Sequence, residues 1–370
     1  MSARFLTVVL ERAFNMRDGF GREIDYMRIS VIDSCNLNCY YCNPCDNNEH
    51  CHALNILSVK EVLCIVRAAT RLGIKHFRLT GGEPLLHPQL DEMVLQIKKI
   101  PGVSSVSLTT NAVLLAQHAK WLKEAGIDSI NVSLDTIDAS EYERITKKPL
   151  LEEVKNGINA AIECGIRVKI NVVLTPQTDV VALTRYVAKK GTDIRFIEMM
   201  PVGEGHTNGV EPYKKVIGTL SKLYGEPCRI NTEKTKEINS GNDKRKIPDN
   251  GPAEYYIFPE LGIRVGLIQA IHGKFCDTCN RIRVTADGRL MPCLGSSVTM
   301  DLVPDSWDFA DDVEKDFAIV RALRAAIKAK PRCHNFNDNA VTYTKTTETK
   351  TTEIEAAEVN AARNMSRIGG

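Results

Sequence analysis

The chain has 370 residues, 43% of them hydrophobic and 25% charged, so it can bury a sizeable core in one large domain or in a domain with an appendage. Lysine and arginine number 48 against 46 acidic residues, and the net charge of +2 excludes a general attraction to nucleic acid or to anionic membranes. The longest apolar stretch near the N-terminus, residues 5–10, is too short for a signal peptide or a membrane span, so we expect a cytoplasmic protein.

Short β-branched segments alternate with amphipathic helical patterns in the first half of the chain. We predict strands at residues 27–33, 76–82, 104–110, 129–135, 167–174 and 193–200. Gly73, Gly126 and Gly165 fall where the intervening helices should end. This alternation favours an α/β fold with parallel strands, and we predict an incomplete (β/α)6 TIM-like barrel with its active site at the C-terminal ends of the strands.

The alternation ends after residue 203, and residues 239–252 form a polar, turn-rich segment. Three later segments, residues 255–258, 263–268 and 282–292, predict a small antiparallel sheet, followed by a helix near residues 312–330. We therefore divide the chain into an N-terminal extension (1–24), a partial barrel (25–205), a small C-terminal α+β module (206–341) and a tail (342–370). We expect the tail to be mobile when the site is empty.

Twelve cysteines are many for a cytosolic enzyme, where clustered thiols more often hold metal than form disulfides. Cys35, Cys39 and Cys42 have the spacing C-x3-C-x2-C directly after a predicted strand. Three thiolates suit a four-iron cluster with one open iron, which the amino and carboxylate groups of S-adenosylmethionine can chelate. The next strand ends in residues 80–84, Thr-Gly-Gly-Glu-Pro, where the glycines allow close approach of a ligand and Glu83 can accept an ammonium group.

Two other interpretations of this first group stay open. One is a structural zinc site, and the other is a four-cysteine electron-transfer cluster that uses Cys45. The candidates for the fourth zinc ligand are Cys45, Cys51, His50 and His52. Neither alternative explains the Gly-Gly-Glu-Pro strand end.

A second group of three cysteines has the spacing C-x2-C-x13-C, with Cys276, Cys279 and Cys293 brought together by a predicted hairpin. A second cluster with an open iron could bind a nucleobase atom directly. Arg281 and Arg283 are two apart on one strand, so their side chains share a face and could clamp a triphosphate. The alternative is a zinc hairpin completed by His272 or Cys333.

The first group and the Gly-Gly-Glu-Pro strand end resemble the radical S-adenosylmethionine superfamily. Over residues 25–370 the chain more specifically resembles the GTP 3',8-cyclases of molybdenum cofactor synthesis. The segments that carry this resemblance are RISVIDSCNLNCYYC, RLTGGEP, LTTN, INVSLD, VKINVV, RFIEMMPVG, FCDTCNRIRVTADGRLMPCL and the C-terminal Ile368-Gly369-Gly370. Ser34, Asn43 and Ala112 differ from the residues common in that family.

The resemblance implies two [4Fe-4S] clusters and S-adenosylmethionine as cofactors, and abstraction of the ribose 3' hydrogen of GTP followed by closure onto purine C8. The implied cluster ligands are Cys35, Cys39, Cys42, Cys276, Cys279 and Cys293. The implied S-adenosylmethionine contacts are Tyr41, Gly82, Glu83, Ser133 and Met200. The implied GTP contacts are Arg28, Arg78, Thr109, Lys169, Arg281, Ile282 and Arg283, with Arg281 and Arg283 also catalytic and Arg195 a weaker candidate.

The implied partners are GTP as substrate, an electron donor such as flavodoxin or ferredoxin, the downstream cyclic pyranopterin monophosphate synthase and a second copy of the chain in a homodimer. We expect neither nucleic acid nor membrane as a partner. Two rival functions remain, a peptide-modifying radical S-adenosylmethionine enzyme and a non-enzymatic iron-sulfur or zinc scaffold. The peptide-modifying enzyme is disfavoured by Arg281, Ile282 and Arg283 and by the terminal Gly-Gly.

Overall fold

The structure is a computed structural model that describes residues 16–42, 55–202, 209–230, 251–296, 298–302, 314–334 and 336, with the backbone of 312–313, 344–347 and 350–353. Cys45, Cys51 and the C-terminal Ile368-Gly369-Gly370 lie outside the described residues. So does most of the predicted turn-rich segment at residues 239–252.

Strands and helices alternate through the first half, as the sequence predicts. The strands there are β1 Tyr26–Ser30, β2 His76–Thr80, β3 Ser105–Thr110, β4 Ser129–Ser133, β5 Val168–Val173 and β6 Asp193–Ile197. The helices are α1 Val59–Arg71, α2 Leu90–Lys98, α3 Leu115–Glu124, α4 Ala139–Thr146, α5 Leu151–Glu163 and α6 Val180–Lys189.

The second half adds shorter elements. They are α7 Gly218–Tyr224, β7 Cys228–Arg229, β8 Glu254–Ile257, β9 Arg264–Ile268, β10 Arg281–Val284, β11 Arg289–Met291, β12 Met300–Asp301 and α8 Asp312–Lys328. Helix α8 confirms the helix predicted near residues 312–330. The backbone of the tail contains an antiparallel pair, β13 Thr344–Thr347 and β14 Lys350–Glu353, which the sequence analysis does not predict.

Twelve of these strands form one mostly parallel sheet in the order β12-β11-β10-β1-β2-β3-β4-β5-β6-β9-β8-β7. Strands β1 to β6 lie side by side in chain order and are parallel. This arrangement confirms the α/β class.

The predicted separate antiparallel sheet in the second half is wrong. Strand β10 pairs in parallel with β1, and β9 pairs in parallel with β6, so the two later hairpins extend opposite edges of the main sheet. Strands β1 and β6 would otherwise present unpaired backbone N–H and C=O groups along their outer edges. The later strands satisfy these groups, and the hairpin of the second cysteine group thereby lies next to β1.

The sheet has one apolar and one polar face. Met27, Ile29, Phe77 and Leu79 are fully buried and belong to the core cluster that includes the buried side chains of the helices. Because side chains alternate along a strand, the residues between them point the other way. These are polar side chains such as those of residues 28, 30, 78 and 80, so the second face can line a polar site.

Local signals set the helix boundaries. Ser58 caps α1 by accepting from the backbone of Glu61, whose carboxylate accepts from the Ser58 backbone N–H at 2.7 Å. Gly73, Gly126 and Gly165 follow helices with φ of 86°, 88° and 69°, as predicted from the sequence. Among the described residues, no helix is both long enough and apolar enough to cross a membrane.

Candidate functional site

A cavity of about 310 Å³ lies over the polar face of the sheet and is lined from both halves of the chain. The two cysteine groups, far apart in sequence, both line it. Fifteen of the predicted site residues are in its lining, namely Arg28, Cys35, Cys39, Tyr41, Cys42, Arg78, Gly82, Thr109, Ser133, Met200, Cys276, Cys279, Arg281, Arg283 and Cys293. Arg195, the weaker candidate, lines it as well.

Three predicted site residues are outside this lining. Ile282 is 1% exposed and its side chain belongs to the apolar core, so only its backbone can face a ligand. Lys169 is 4% exposed, on β5 beside Asn131 of β4. Glu83 is completely buried.

The contacts of Glu83 differ from the role predicted for it. Its Oε1 accepts from the Thr110 hydroxyl at 2.7 Å and from the Leu85 backbone at 3.0 Å, while Oε2 accepts from the Asn111 backbone at 2.7 Å. Burial raises the pKa of this carboxyl to about 7, against the lowering effect of these hydrogen bonds. Glu83 thus connects the ends of β2 and β3, and it lies outside the cavity lining. Its contact with an ammonium group stays a prediction.

The two glycines before Glu83 pack against the loop that carries the first cysteines. A Cβ atom on Gly81 would lie 2.2 Å from the Ile32 carbonyl oxygen, and one on Gly82 would lie 2.1 Å from that of Ser34. The Gly82 N–H donates to Ile32 at 2.8 Å, and the Glu83 N–H donates to Ser34 at 2.8 Å. The glycines are therefore required for strand-to-loop contact, a reason that the sequence pattern does not reveal.

The first cysteine group is largely shielded from solvent. Burial raises the pKa of the Cys35 thiol to about 11, and burial together with the neighbouring thiol of Cys42 raises that of Cys39 further. The Leu37 N–H and the Asn111 side chain donate to the Cys35 sulfur at 3.5 and 3.8 Å. Thiols in this setting bind as thiolates only when a cation is present to offset their charge, which fits an iron-sulfur cluster.

Tyr41 lies between the second and third cysteines and is fixed by a buried carboxylate. Its hydroxyl donates to Oδ2 of Asp135, and Oδ1 of Asp135 accepts from the Val173 backbone at 2.7 Å. Burial raises the pKa of Asp135 to about 6 and that of Tyr41 well above its usual value. Asp135 therefore connects the cysteine loop to the ends of β4 and β5.

Three arginines form a row across adjacent strands beside the cavity. Arg283 of β10, Arg28 of β1 and Arg78 of β2 are direct register neighbours, so their side chains leave the same face. Burial, then the charges of Arg283 and Arg78, lowers the pKa of Arg28 well below its usual value. Burial and the charge of Arg281 lower the pKa of Arg283 to about 10. Such a row of like charges stabilises a bound polyanion.

Tyr26 adds an aromatic face to this row, which the sequence analysis missed. The guanidinium groups of Arg78 and Arg281 lie 5.7 and 5.9 Å from its ring centroid. Its burial acts to raise its pKa, but the charges of Arg78, Arg28 and Arg281 outweigh this effect and lower it.

The second cysteine group is supported by residues that carry no sequence motif. Arg22 donates to the Cys276 carbonyl oxygen at 2.7 Å. Lys330 is 3% exposed and donates to the carbonyl oxygens of Arg281 and Pro292. Burial acts to raise the pKa of Cys279, but the charges of Lys330 and Arg281 help to lower it. An arginine near the N-terminus and a lysine just after a helix resemble surface residues in sequence, so no pattern could have identified them.

The described residues contain no preformed site for a single metal ion. In the part of the chain that the structure describes, no three Cys, His, Asp or Glu side chains are placed to share one metal ion. His272, a candidate fourth zinc ligand, pairs through Nδ1 with Glu198. Groups of three thiols on one cavity instead fit clusters in which each iron takes one thiolate.

Comparisons with known proteins agree with this geometry. Residues 29–182 match the Radical SAM superfamily, and residues 192–336 match Molybdenum Cofactor Synthesis C. The GTP 3',8-cyclase of Clostridium perfringens strain SM101 is 35% identical over 87% of this chain and 95% of its own length. The GTP 3',8-cyclase of Peptoclostridium acidaminophilum is 37% identical over 87% of this chain and 94% of its own length.

Among solved structures, SuiB of Streptococcus suis bound to its precursor peptide SuiA aligns with a TM-score of 0.54 at 15% identity. The alignment covers 87% of this chain and 69% of SuiB, and it shows a shared fold only. The two matched family regions contain the two cysteine groups, and the curated enzymes align over nearly their whole length. The chain therefore belongs to the GTP 3',8-cyclase family of radical S-adenosylmethionine enzymes.

Proposed function

We propose that this protein converts GTP to (8S)-3',8-cyclo-7,8-dihydroguanosine 5'-triphosphate, the first step of molybdenum cofactor synthesis. The observation that carries the proposal is a single cavity that faces both cysteine groups and the row formed by Arg283, Arg28 and Arg78. The relatives named GTP 3',8-cyclase support the same reaction.

The arginine row would hold the triphosphate. Guanidinium groups bind phosphate oxygens in pairs, and a bound anion offsets the repulsion between charges that share a partly buried surface. Arg281 extends the row towards the second cysteine group, since it lies between Tyr26 and Phe275 at 5.9 and 5.7 Å from their ring centroids. The nucleoside part of GTP would then lie between the two cysteine groups.

Cys35, Cys39 and Cys42 would hold one [4Fe-4S] cluster, and Cys276, Cys279 and Cys293 would hold the other. When bound, the first cluster and S-adenosylmethionine supply the one-electron chemistry that removes the 3' hydrogen of GTP. Tyr41, Ser133 and Met200 line the cavity on this side and would position S-adenosylmethionine. The chain itself orients both ligands and excludes water from the reacting atoms.

We further propose that β1 to β6 form the incomplete (β/α)6 barrel and that residues 206–341 form the C-terminal module. The two matched regions, residues 29–182 and 192–336, support a division of the chain into two parts. The flavodoxin-like or ferredoxin-like electron donor, the cyclic pyranopterin monophosphate synthase, the homodimer and the cytoplasmic location stay predictions.

Two cysteine substitutions test whether the two cysteine groups have separate roles in the reaction. Cys35→Ala should abolish cleavage of S-adenosylmethionine because it removes a ligand of the first cluster. Cys293→Ala should leave cleavage largely intact and stop conversion of GTP. Both activities are measured anaerobically with dithionite as reductant, and Cys228→Ala is the control because Cys228 is exposed. Normal GTP turnover in the Cys293 variant would contradict the assignment.

A further inference from the structure

We infer that Lys330 is a positioning residue of the second cysteine group: its ammonium group joins the two segments that carry these cysteines and raises the reduction potential of the cluster bound there. This inference rests on the proposed function, because it requires an iron-sulfur cluster at Cys276, Cys279 and Cys293. The sequence analysis assigned no role to Lys330.

Two hydrogen bonds fix the ammonium group beside the second cysteine group. Its Nζ donates to the carbonyl oxygens of Arg281 and Pro292, each at 2.8 Å, and Lys330 lines the cavity together with Cys279 and Cys293. Arg281 lies two residues after Cys279, and Pro292 directly precedes Cys293. Lys330 therefore links the Cys279 segment to the start of the Cys293 loop.

Lys330 is buried, and burial of its charge costs free energy. The residue is 3% exposed, and a buried ammonium group is costly unless its charge is offset by an anion or by strong hydrogen bonds. A thiolate at Cys279 provides that anion.

The positive charge of Lys330 beside the second cysteine group also affects the reduction potential of a cluster bound there. Hydrogen bonds to cluster sulfurs and nearby positive charge stabilise the cluster state that holds one more electron. Lys330 therefore favours the reduced state of the second cluster. In the first group, the described donors to the Cys35 sulfur are the uncharged Leu37 backbone and Asn111 side chain.

The test is an anaerobic redox titration, followed by electron paramagnetic resonance, of the reconstituted full chain and its Lys330→Met variant. Methionine keeps the length and apolar stem but removes the charge and the donors. Lys328→Met is the matched control, since Lys328 is an exposed lysine at the end of α8, two residues before Lys330. The signal that changes when S-adenosylmethionine is added belongs to the first cluster. The reduction potential of that cluster should be the same in all the variants.

We expect Lys330→Met to shift the second cluster to a more negative potential and Lys328→Met to leave it unchanged. An unchanged potential in a Lys330→Met protein that holds both clusters would overturn the inference. If that variant fails to take up the second cluster, Lys330→Gln, which keeps donors without the charge, is titrated instead, and a potential equal to that of the unsubstituted protein overturns it. A chain that binds only one cluster before any substitution contradicts the proposed function itself.

Discussion

Gly82 shows how one side chain, or its absence, determines whether the first cysteine group can form. The backbone of Ser34 occupies the space in which a Cβ atom would lie, at 2.1 Å from its carbonyl oxygen. Backbone atoms held by hydrogen bonds from Gly82 and Glu83 cannot move aside without separating the cysteine loop from β2. Glycine is therefore required at this position by packing.

We expect Gly82→Ala to lower the free energy of unfolding by about 1–3 kcal/mol, the usual cost of overpacking, and to reduce iron binding at the first group. Urea unfolding and iron analysis of the reconstituted protein measure the two effects. Gly218→Ala is the control, because nothing lies within 4 Å of its Cβ position. Full iron content and unchanged stability in the Gly82 variant would show that the contact with Ser34 is unimportant.

The raised pKa of Glu83 makes the stability of the protein depend on pH. Its pKa is about 7 in the folded protein against an ordinary value of 4.5, so the folded state binds a proton that the unfolded state releases. The stabilisation that comes from this bound proton is complete below the pKa of Glu83 in the unfolded chain, 4.5. It is lost as the pH rises through about 7, the pKa in the folded protein. We expect Glu83 to lower the free energy of unfolding by about 2–3 kcal/mol between pH 5 and pH 8.

Glu83→Gln isolates this contribution, since Gln cannot titrate while Asp135 titrates in both proteins. The measurement is urea unfolding of the anaerobic protein at pH 5 and pH 8. The variant should lose less stability than the unsubstituted protein over this interval. Equal losses in the two proteins would refute the assigned pKa.

Across the adjacent strands, the arginine row should lower the stability of the ligand-free protein while it strengthens the binding of GTP. Arg28 lies between Arg283 and Arg78 in register, and burial together with their charges disfavours its protonated form. Arg28→Met should therefore raise the free energy of unfolding of the ligand-free protein. The same change should weaken GTP binding about 10- to 100-fold, the value of one charged hydrogen bond.

Thermal unfolding and equilibrium binding of GTP, both without turnover, measure these opposite effects. Arg324→Met is the control, because Arg324 is an exposed residue of α8. A variant that loses stability and keeps its GTP affinity would contradict the role of the row.

The elements of the first half could be predicted from sequence, but their partners at the sheet edges could not. The β1 to β6 segments carry β-branched residues in short runs, which determine a strand locally. The pairing of Arg283 with Arg28 depends on edge groups of β1 that are satisfied far along the chain. Segment patterns therefore indicated hairpins correctly and placed them in the wrong sheet.

The same distinction holds for the site. Cysteine spacing is a local property, so it identified both groups, whereas the contacts of Arg22 and Lys330 arise only on folding. Glu83 was assigned from its motif, and only the structure shows its carboxylate accepting from the ends of neighbouring elements. Ala112, which differs from the residue common in the family, has φ of 65°, a left-handed conformation that glycine adopts most readily.

In the whole molecule, we propose that one cavity brings two clusters and GTP together. The most direct test is anaerobic turnover of the reconstituted protein with S-adenosylmethionine, dithionite and GTP deuterated at the ribose 3' carbon, together with iron analysis. We expect about eight irons, deuterium in the 5'-deoxyadenosine and a cyclised nucleotide. Four irons or fewer, or cleavage of S-adenosylmethionine with GTP unchanged, would contradict it.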